Sequence, residues 1–316
     1  MATIGRDLHR AKELLVQGDV VGIPTETVYG LAGNALDETS ILKIYEVKNR
    51  PKFDPLIAHV DSLEKVSTLV KDVPEQAERL AAQFWPGPLT LLLEKASHIP
   101  DLLTSGHRRV AVRIPDHELT HALLSQVDFP LAAPSANPFG YVSPTSASHV
   151  NDQLGDKISY ILDGGNSKVG LESTIIGFED GKTIVYRLGG ISLENVESCI
   201  GKVYVEVNSS SDPSAPGMLK SHYSPGTKIS IGNIAECVKG KDISSVGIIS
   251  FCENYDLPSE NLFVLSPTGD LNEAARNIFK ALRKMDQPHI KEVFAEWVPD
   301  QGLGRAINDR LKRAAV

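Results

Sequence analysis

Two short segments of this chain carry the residue types that handle phosphate. Lys48-Asn49-Arg50-Pro51 and Pro134-Ser135-Ala136-Asn137-Pro138 each set two polar side chains at i and i+2 beside a proline. Proline holds the residue before it in extended geometry, and alternate residues of an extended chain share a face. The first segment therefore predicts a compact ammonium and a planar guanidinium fork on one side. The second predicts a hydroxyl and an amide, which both donate and accept. Together they are the equipment for a nucleotide polyphosphate. Taken singly, each also fits a solvated helix end or a polar turn.

Other segments add to this set. Pro24-Thr25-Glu26-Thr27-Val28-Tyr29-Gly30-Leu31 follows an apolar run, where hydroxyls and backbone amides at a strand end can line a crevice or simply form a turn. His59 stands in the apolar stretch Pro55-Leu56-Ile57-Ala58-His59-Val60, where a histidine with satisfied core contacts is the ordinary reading. Arg113 interrupts Val110-Ala-Val-Arg-Ile-Pro115, a run that otherwise reads as buried. Its charge needs a carboxylate or phosphate answer, from an internal salt bridge or from a carboxylate substrate. Glu172-Ser173-Thr174 and Tyr186-Arg187-Leu188-Gly189-Gly190 bring hydroxyls and a cation beside glycines, and Ser143 follows the Ser-x-Asn segment. Neither familiar glycine-rich phosphate cradle occurs, so the Walker A and Gly-x-Gly-x-x-Gly readings are excluded.

Alternating helix and strand signals position these residues. Helical spacing predicts helices over residues 6–17, ending at Gly18, around Ile41–Tyr45 and finishing before Lys48, and over 75–84, 118–126 and 146–154. Strands are expected at 20–23, 56–60, 90–93, 110–114, 131–133, 158–162, 174–176 and 184–186. This pattern defines an α/β domain on a largely buried, mixed sheet. The Ser/Pro-rich stretch 208–217 reads as a linker. Beyond it, strands at 228–231, 246–251, 262–265 and 293–297 surround an amphipathic helix over 271–284, with a last helix at 304–314. The end of the linker carries Met218, His222 and Tyr223 where a plain spacer needs none, which suits a lid.

Composition narrows the class. The chain has 316 residues, enough for two domains, with 41% hydrophobic and 23% charged residues, as in an ordinary globular protein. No apolar run reaches the roughly 20 residues of a membrane span, and the polar start lacks a signal-peptide core. Cys199, Cys237 and Cys252 are too scattered for a disulfide framework or a metal knot, which suits a reducing compartment and makes the cytoplasm the expected location. A net charge of −8 disfavours a general nucleic-acid binder while permitting a local basic pocket.

In this order, Pro24–Leu31, Lys48-x-Arg50, 55–60, Trp85-Pro-Gly-Pro-Leu-Thr90, 110–115, Ala133-Pro-Ser-Ala-Asn137, 172–175 and Arg187-x-Gly189 resemble the YrdC-type threonylcarbamoyl-adenylate synthases, in their longer two-domain form. The resemblance covers residues 5–205 most fully, is clear in 216–225, and reaches the C-terminal unit by pattern only. It implies a YrdC-type domain (1–207) with a twisted, mostly buried mixed sheet and flanking helices. A linker acting as an active-site lid (208–227) and a smaller Rossmann-like α/β domain (228–316) follow. The implied substrates are ATP, L-threonine and bicarbonate or CO2, with Mg2+ accompanying ATP. A separate transferase would place the product on tRNA; neither a stable nucleic-acid complex nor a membrane is needed.

By the same resemblance, Thr27, His59, Arg113, Ala133 and Ser173 form the threonine pocket. Lys48, Arg50, Asp54, Arg109, Ser135, Asn137, Ser143, Arg187 and Tyr223 hold ATP, with Lys48, Arg50, Ser135 and Asn137 as the catalytic set and Tyr223 closing over the nucleotide. Two positions depart from the family: Asp54 stands where asparagine is common, and Arg109 where a small hydroxyl residue is common. A tRNA- or double-stranded-RNA-binding protein and a carbamoyltransferase of the same fold are the alternatives. The net charge and the lack of an aromatic-interleaved basic stripe weigh against the first, and the absence of a Cys-x-x-Cys array weighs against the second.

Overall fold

A computed structural model describes residues 1–207, 223–256 and 258–315. Strands β1 (Thr3–Gly5), β2 (Val21–Ile23), β3 (Gly30–Asn34), β4 (Ile57–His59), β5 (Leu89–Glu94) and β6 (Arg109–Arg113) belong to one large sheet. It also contains β7 (Leu131–Ala132), β8 (Tyr160–Leu162), β9 (Thr174–Glu179), β10 (Lys182–Arg187) and β11 (Tyr204–Val205). Their spatial order is β1-β8-β2-β3-β7-β4-β6-β5-β9-β10-β11, with parallel and antiparallel pairings mixed. A second sheet, in the order β12-β15-β13-β14, comprises β12 (Lys228–Ile231), β13 (Val246–Ser250), β14 (Leu262–Val264) and β15 (Glu292–Ala295). All three of its pairings are parallel. The expected α/β class, with a large mixed sheet and a smaller parallel one, holds.

Several elements differ from the sequence reading. β1, β3 and β11 and the helices Leu63–Leu69, Leu193–Ile200 and Ile234–Cys237 were not expected. β3 reads Gly-Leu-Ala-Gly-Asn, a composition that signals a turn, yet all of its residues but Asn34 are buried. Tertiary pairing with β2 and β7 overrides its weak propensity. The helix expected to stop before Lys48 runs Glu38–Lys48 and is capped by Asn49 in the left-handed conformation, φ 52°. Asparagine tolerates that geometry at a helix C-terminus better than most residues.

The core under the smaller sheet takes in loop residues of the first domain. Val28, Val142, Leu171 and Tyr223 pack in one cluster with Ala275, Phe279, Ile307 and Leu311 from the helices Leu271–Met285 and Gly304–Ala314. Fully burying a side chain such as Phe279 or Ile307 contributes about 1.5–3 kcal/mol, so this seam is a true interior. Most of the expected lid segment, residues 208–222 with Met218 and His222, lies outside the described residues.

At the seam the backbone of Gly170 lies against the helix Leu271–Met285. Its φ is +77°, and a Cβ there would sit 2.5 Å from Arg276 Cα and 2.8 Å from the Ala275 carbonyl oxygen. Gly170→Ala should therefore cost roughly 2–4 kcal/mol, from strain and overpacking together. Gly181 has a similar φ of +71° with nothing within 4 Å, so Gly181→Ala should cost about 1 kcal/mol. Denaturant titration of both variants checks this: equal losses would mean that the seam is not closely packed at Gly170.

Candidate active site

The strand ends converge on a small cavity. β2 leads into the turn that carries Thr27, and Thr25 Oγ1 fixes that turn by accepting from the Thr27 and Val28 amides, each at 3.2 Å. The segment 133–137 continues beyond β7 and lies along the 29–31 edge, with Leu31 N donating to Pro134 O and Ala136 N to Tyr29 O. Parallel pairing of β4 with β6 sets His59 opposite Arg113. β5 and β9 bring Thr90 and Ser173 together, their hydroxyls 2.7 Å apart.

The cavity, about 50 Å³, is lined by Thr27, Val28, Arg50, Pro55, Leu56, Ile57, His59, Arg113, Ala133, Pro134, Ser135, Glu172, Ser173, Arg187 and Tyr223. Nine of the residues expected from the sequence are in that wall. Four more stand directly behind it. Lys48 Nζ donates to the carbonyls of Ser135 and Asn137, the latter at 2.6 Å. Asp54 pairs with Arg50 at 2.8 Å, and Ser143 Oγ donates to Glu172 Oε1 at 2.6 Å. The Asn137 side-chain amide donates to Pro138 O and Tyr141 O, while its Oδ1 is buried with no hydrogen-bond partner.

Lys48 and Arg50 do not lie side by side on an extended chain. Lys48 is the last helical residue and turns back to the 135–137 carbonyls, whereas Arg50 Nε and Nη2 donate to Asp54 O and Pro55 O. The left-handed Asn49 between them breaks the expected i, i+2 register. Arg109 is not at the cavity: it begins β6, the strand that Arg113 ends, and its guanidinium pairs with Glu179 and with the Tyr186 hydroxyl at 3.1 Å.

Burial governs the electrostatics. Desolvation pushes the Lys48 pKa well below the ordinary lysine value, with Arg50 adding to the effect. It lowers His59 to about 3, with the Arg113 charge contributing, and His59 Nδ1 lies 3.1 Å from Ile57 O. It also lowers Arg187 to about 10 and raises Tyr223 to about 12. Arg187 is fixed by donating from Nε to Ser173 O and from Nη2 to Ser173 Oγ, at 3.0 and 2.9 Å. Gly189 permits this approach, because a Cβ there would fall 2.3 Å from Glu172 O.

Three carboxylates were not assigned partners by sequence reasoning. Glu26 holds Arg113 at 2.6 Å, Asp54 holds Arg50, and Glu172 receives Arg310 at 3.0 Å from the C-terminal helix. The signal for Arg310 was present: it falls on the stripe Ile307, Leu311, Ala314, whose members are all buried. Among the described residues, no group of three or more metal-binding side chains converges. The three free cysteines make no cluster, and no helix is long and apolar enough to cross a membrane.

This arrangement is an α/β domain with an arginine-lined cavity at the strand ends of its mixed sheet, backed by a second α/β unit. Residues 13–189 match the Sua5/YciO/YrdC family, described as telomere recombination, and residues 191–316 match a family described as threonylcarbamoyl-AMP synthase, C-terminal domain. The chain belongs to the Sua5/YciO/YrdC family. It is 41% identical to a threonylcarbamoyl-AMP synthase of Pyrococcus abyssi, over 95% of this chain and 91% of that protein. It is 37% identical to the Bacillus subtilis protein of the same name, over 100% and 94%. The crystal structure of Pyrococcus abyssi Sua5 complexed with L-threonine superposes with a TM-score of 0.91 at 38% identity, covering 100% of this chain and 97% of that one.

The neutrality of His59 has a measurable consequence. Its folded-state pKa lies below the unfolded value of 6.5, so between those values the unfolded chain binds a proton that the folded chain does not. Stability is therefore fully present above about pH 6.5 and declines as pH falls toward 3, by up to about 1.4 kcal/mol per pH unit for this group. Nuclear magnetic resonance titration should find the imidazole unprotonated from pH 5 to 8. A midpoint near 6.5 would mean that the ring is solvated.

Proposed function

We propose that this protein makes L-threonylcarbamoyl-AMP and pyrophosphate from L-threonine, bicarbonate or CO2, and ATP. The product would serve N6-threonylcarbamoyladenosine formation in tRNA, through a separate transferase in the cytoplasm. The observation that carries the reading is the buried Arg113 opposite His59 in a cavity also walled by Thr27, Ala133 and Ser173. That set supplies a guanidinium for an amino-acid carboxylate and hydroxyls for its side chain. A site that bonds a hydroxyl rejects the analogue lacking it far more strongly than a shape-only pocket can.

Glu26 occupies one edge of the Arg113 fork, and Arg113 Nε donates to Gly87 O at 3.2 Å. These contacts fix the fork in the wall, so the substrate carboxylate meets an oriented donor rather than a mobile one. His59, neutral and buried, acts as a hydrogen-bonding wall, not as a proton source.

A carbamate is labile and weakly nucleophilic. Holding it against the α-phosphorus of ATP, away from water, is the main catalytic demand. The carbamate oxygen attacks that phosphorus and pyrophosphate leaves. Lys48 and Arg50 take the charge growing on the phosphates, with Ser135, Asn137, Ser143 and Arg187 completing the nucleotide wall. Arg109 has no place in this wall. Asp54 serves as the partner of Arg50. The buried carboxylates nearest the cavity are turned to arginines, which fits Mg2+ entering on the triphosphate as part of the substrate.

A 50 Å³ cavity is far below the several hundred Å³ of a typical ligand pocket. Nucleotide entry therefore requires opening, and the linker 208–227 with Tyr223 at its described end is the lid we assign.

Pyrophosphate release should require ATP, threonine and bicarbonate together. Lys48→Ala should lower kcat/KM at least about 100-fold, and Arg113→Gln should mainly raise the KM for threonine. Release that continues without threonine would exclude this reaction.

A further inference from the structure

The C-terminal helix Gly304–Ala314 sets a fully buried arginine behind the wall of the cavity. Arg310 Nε donates to Glu172 Oε2 at 3.0 Å, Nη1 pairs with Asp309 at 2.7 Å, and Nη2 donates to Leu188 O at 2.8 Å. Its guanidinium carbon lies 5.1 Å from the centre of the Tyr223 ring. Apart from Asp309 on its own helix, the groups it touches are at or beside the cavity. Glu172 and Tyr223 line it, and Leu188 follows Arg187. One turn further along, Arg313 Nη2 donates to Val207 O, and the Arg313 carbonyl receives Ser224 Oγ. A single helix thus fastens the last residue before the undescribed segment and the second residue after it.

We propose that Arg310 is a positioning residue of the nucleotide site, neutralising Glu172 so that a buried carboxylate does not oppose the phosphates of ATP. The inference rests on the ATP-site reading above. Glu172 is 6% exposed, and among the described residues its other oxygen accepts only from Ser143, a neutral donor. Without Arg310 a cation left to answer Glu172 is Arg187, whose charge already interacts with it. Arg187 would then be drawn from the cavity to the carboxylate, and Ser173, held by both Arg187 donors, would move with it. The guanidinium also bonds Leu188 O, so the chain from Ser173 to Leu188 is braced at both ends. Charge and geometry thus reach the site from a domain that, among the described residues, contributes no side chain to the cavity wall itself.

The test is steady-state pyrophosphate release with ATP varied and threonine and bicarbonate saturating. Three full-length variants are compared with the wild type: Arg310→Met, Arg310→Lys, and the double variant Arg310→Met/Glu172→Gln. Arg310→Met should raise the KM for ATP about tenfold or more with a smaller change in kcat. Removing the stranded charge in the double variant should recover most of that loss, and Arg310→Lys, which keeps charge without the fork, should fall between. A residue that only stabilised the fold would lower the active fraction and leave KM where it is. An unchanged KM in Arg310→Met, or a double variant no better than the single one, overturns the role of Arg310. If Arg310→Met does not fold, the lysine and double variants decide the question in the same way. Wild-type release that ignores threonine would instead overturn the synthase reading. Equilibrium dialysis with ATP alone then still reports whether Arg310 supports nucleotide binding.

Discussion

The structure depends on burying charge in pairs. Around one small cavity three carboxylates, Glu26, Asp54 and Glu172, are almost wholly removed from water, and each is matched to an arginine, Arg113, Arg50 or Arg310. Breaking one side of such a pair costs about 3–5 kcal/mol, because the remaining charge is stranded. A hydrophobic replacement of both partners would often be neutral for stability. The pairs are therefore better understood as a means of orienting guanidinium groups than as a source of stability. Arg113 and Arg50 keep one face toward the cavity because the other is occupied.

The same constraint explains why the two domains are fused by an interior seam instead of a polar contact. Arg310 is fully buried on the same helix as Ile307 and Leu311, with its guanidinium over the Tyr223 ring, so its pairing with Glu172 is sheltered from water. Although burial opposes its charge, Tyr223, Glu172 and Asp309 hold its pKa above the ordinary arginine value. Around the rim, Arg305 meets Glu194 at 2.5 Å and Tyr141 meets Asp286 at 2.5 Å. The exposed Arg305–Glu194 pair adds little by comparison. The seam aligns the first domain with the entry of the linker through the same apolar cluster that seats Tyr223.

Much of this was legible in the residue order. The helix Glu75–Phe84 and the amphipathic helix Leu271–Met285 follow from periodicity, since their buried faces recur at helical spacing. The alternation of helices and strands gave the α/β class. Arg113 stood out because it interrupts an apolar strand, where a charge demands a partner, while the grouping of His59 with it came from the family resemblance. What escaped was set by contacts remote in sequence. β3 contains two glycines in five residues and becomes a strand only between β2 and β7. Arg109 and Arg113 look alike in the sequence, yet they close opposite ends of β6, and only Arg113 reaches the strand ends that form the site. The i, i+2 geometry of Lys48 and Arg50 failed because a left-handed cap at Asn49 cannot be inferred from a following proline.

Lys48 sits in its resting place with two carbonyl acceptors, Ser135 O and Asn137 O. An uncharged amine has two N–H bonds, enough to satisfy both. Burial lowers its pKa well below the ordinary lysine value, so this form is easier to reach here than it is in water. An arriving triphosphate acts in the opposite direction, since phosphate oxygens favour a charged partner. Nucleotide binding therefore pulls the Lys48 pKa upward. Any proton gained in that step would appear in the heat of binding as the ionisation enthalpy of the buffer that surrenders it.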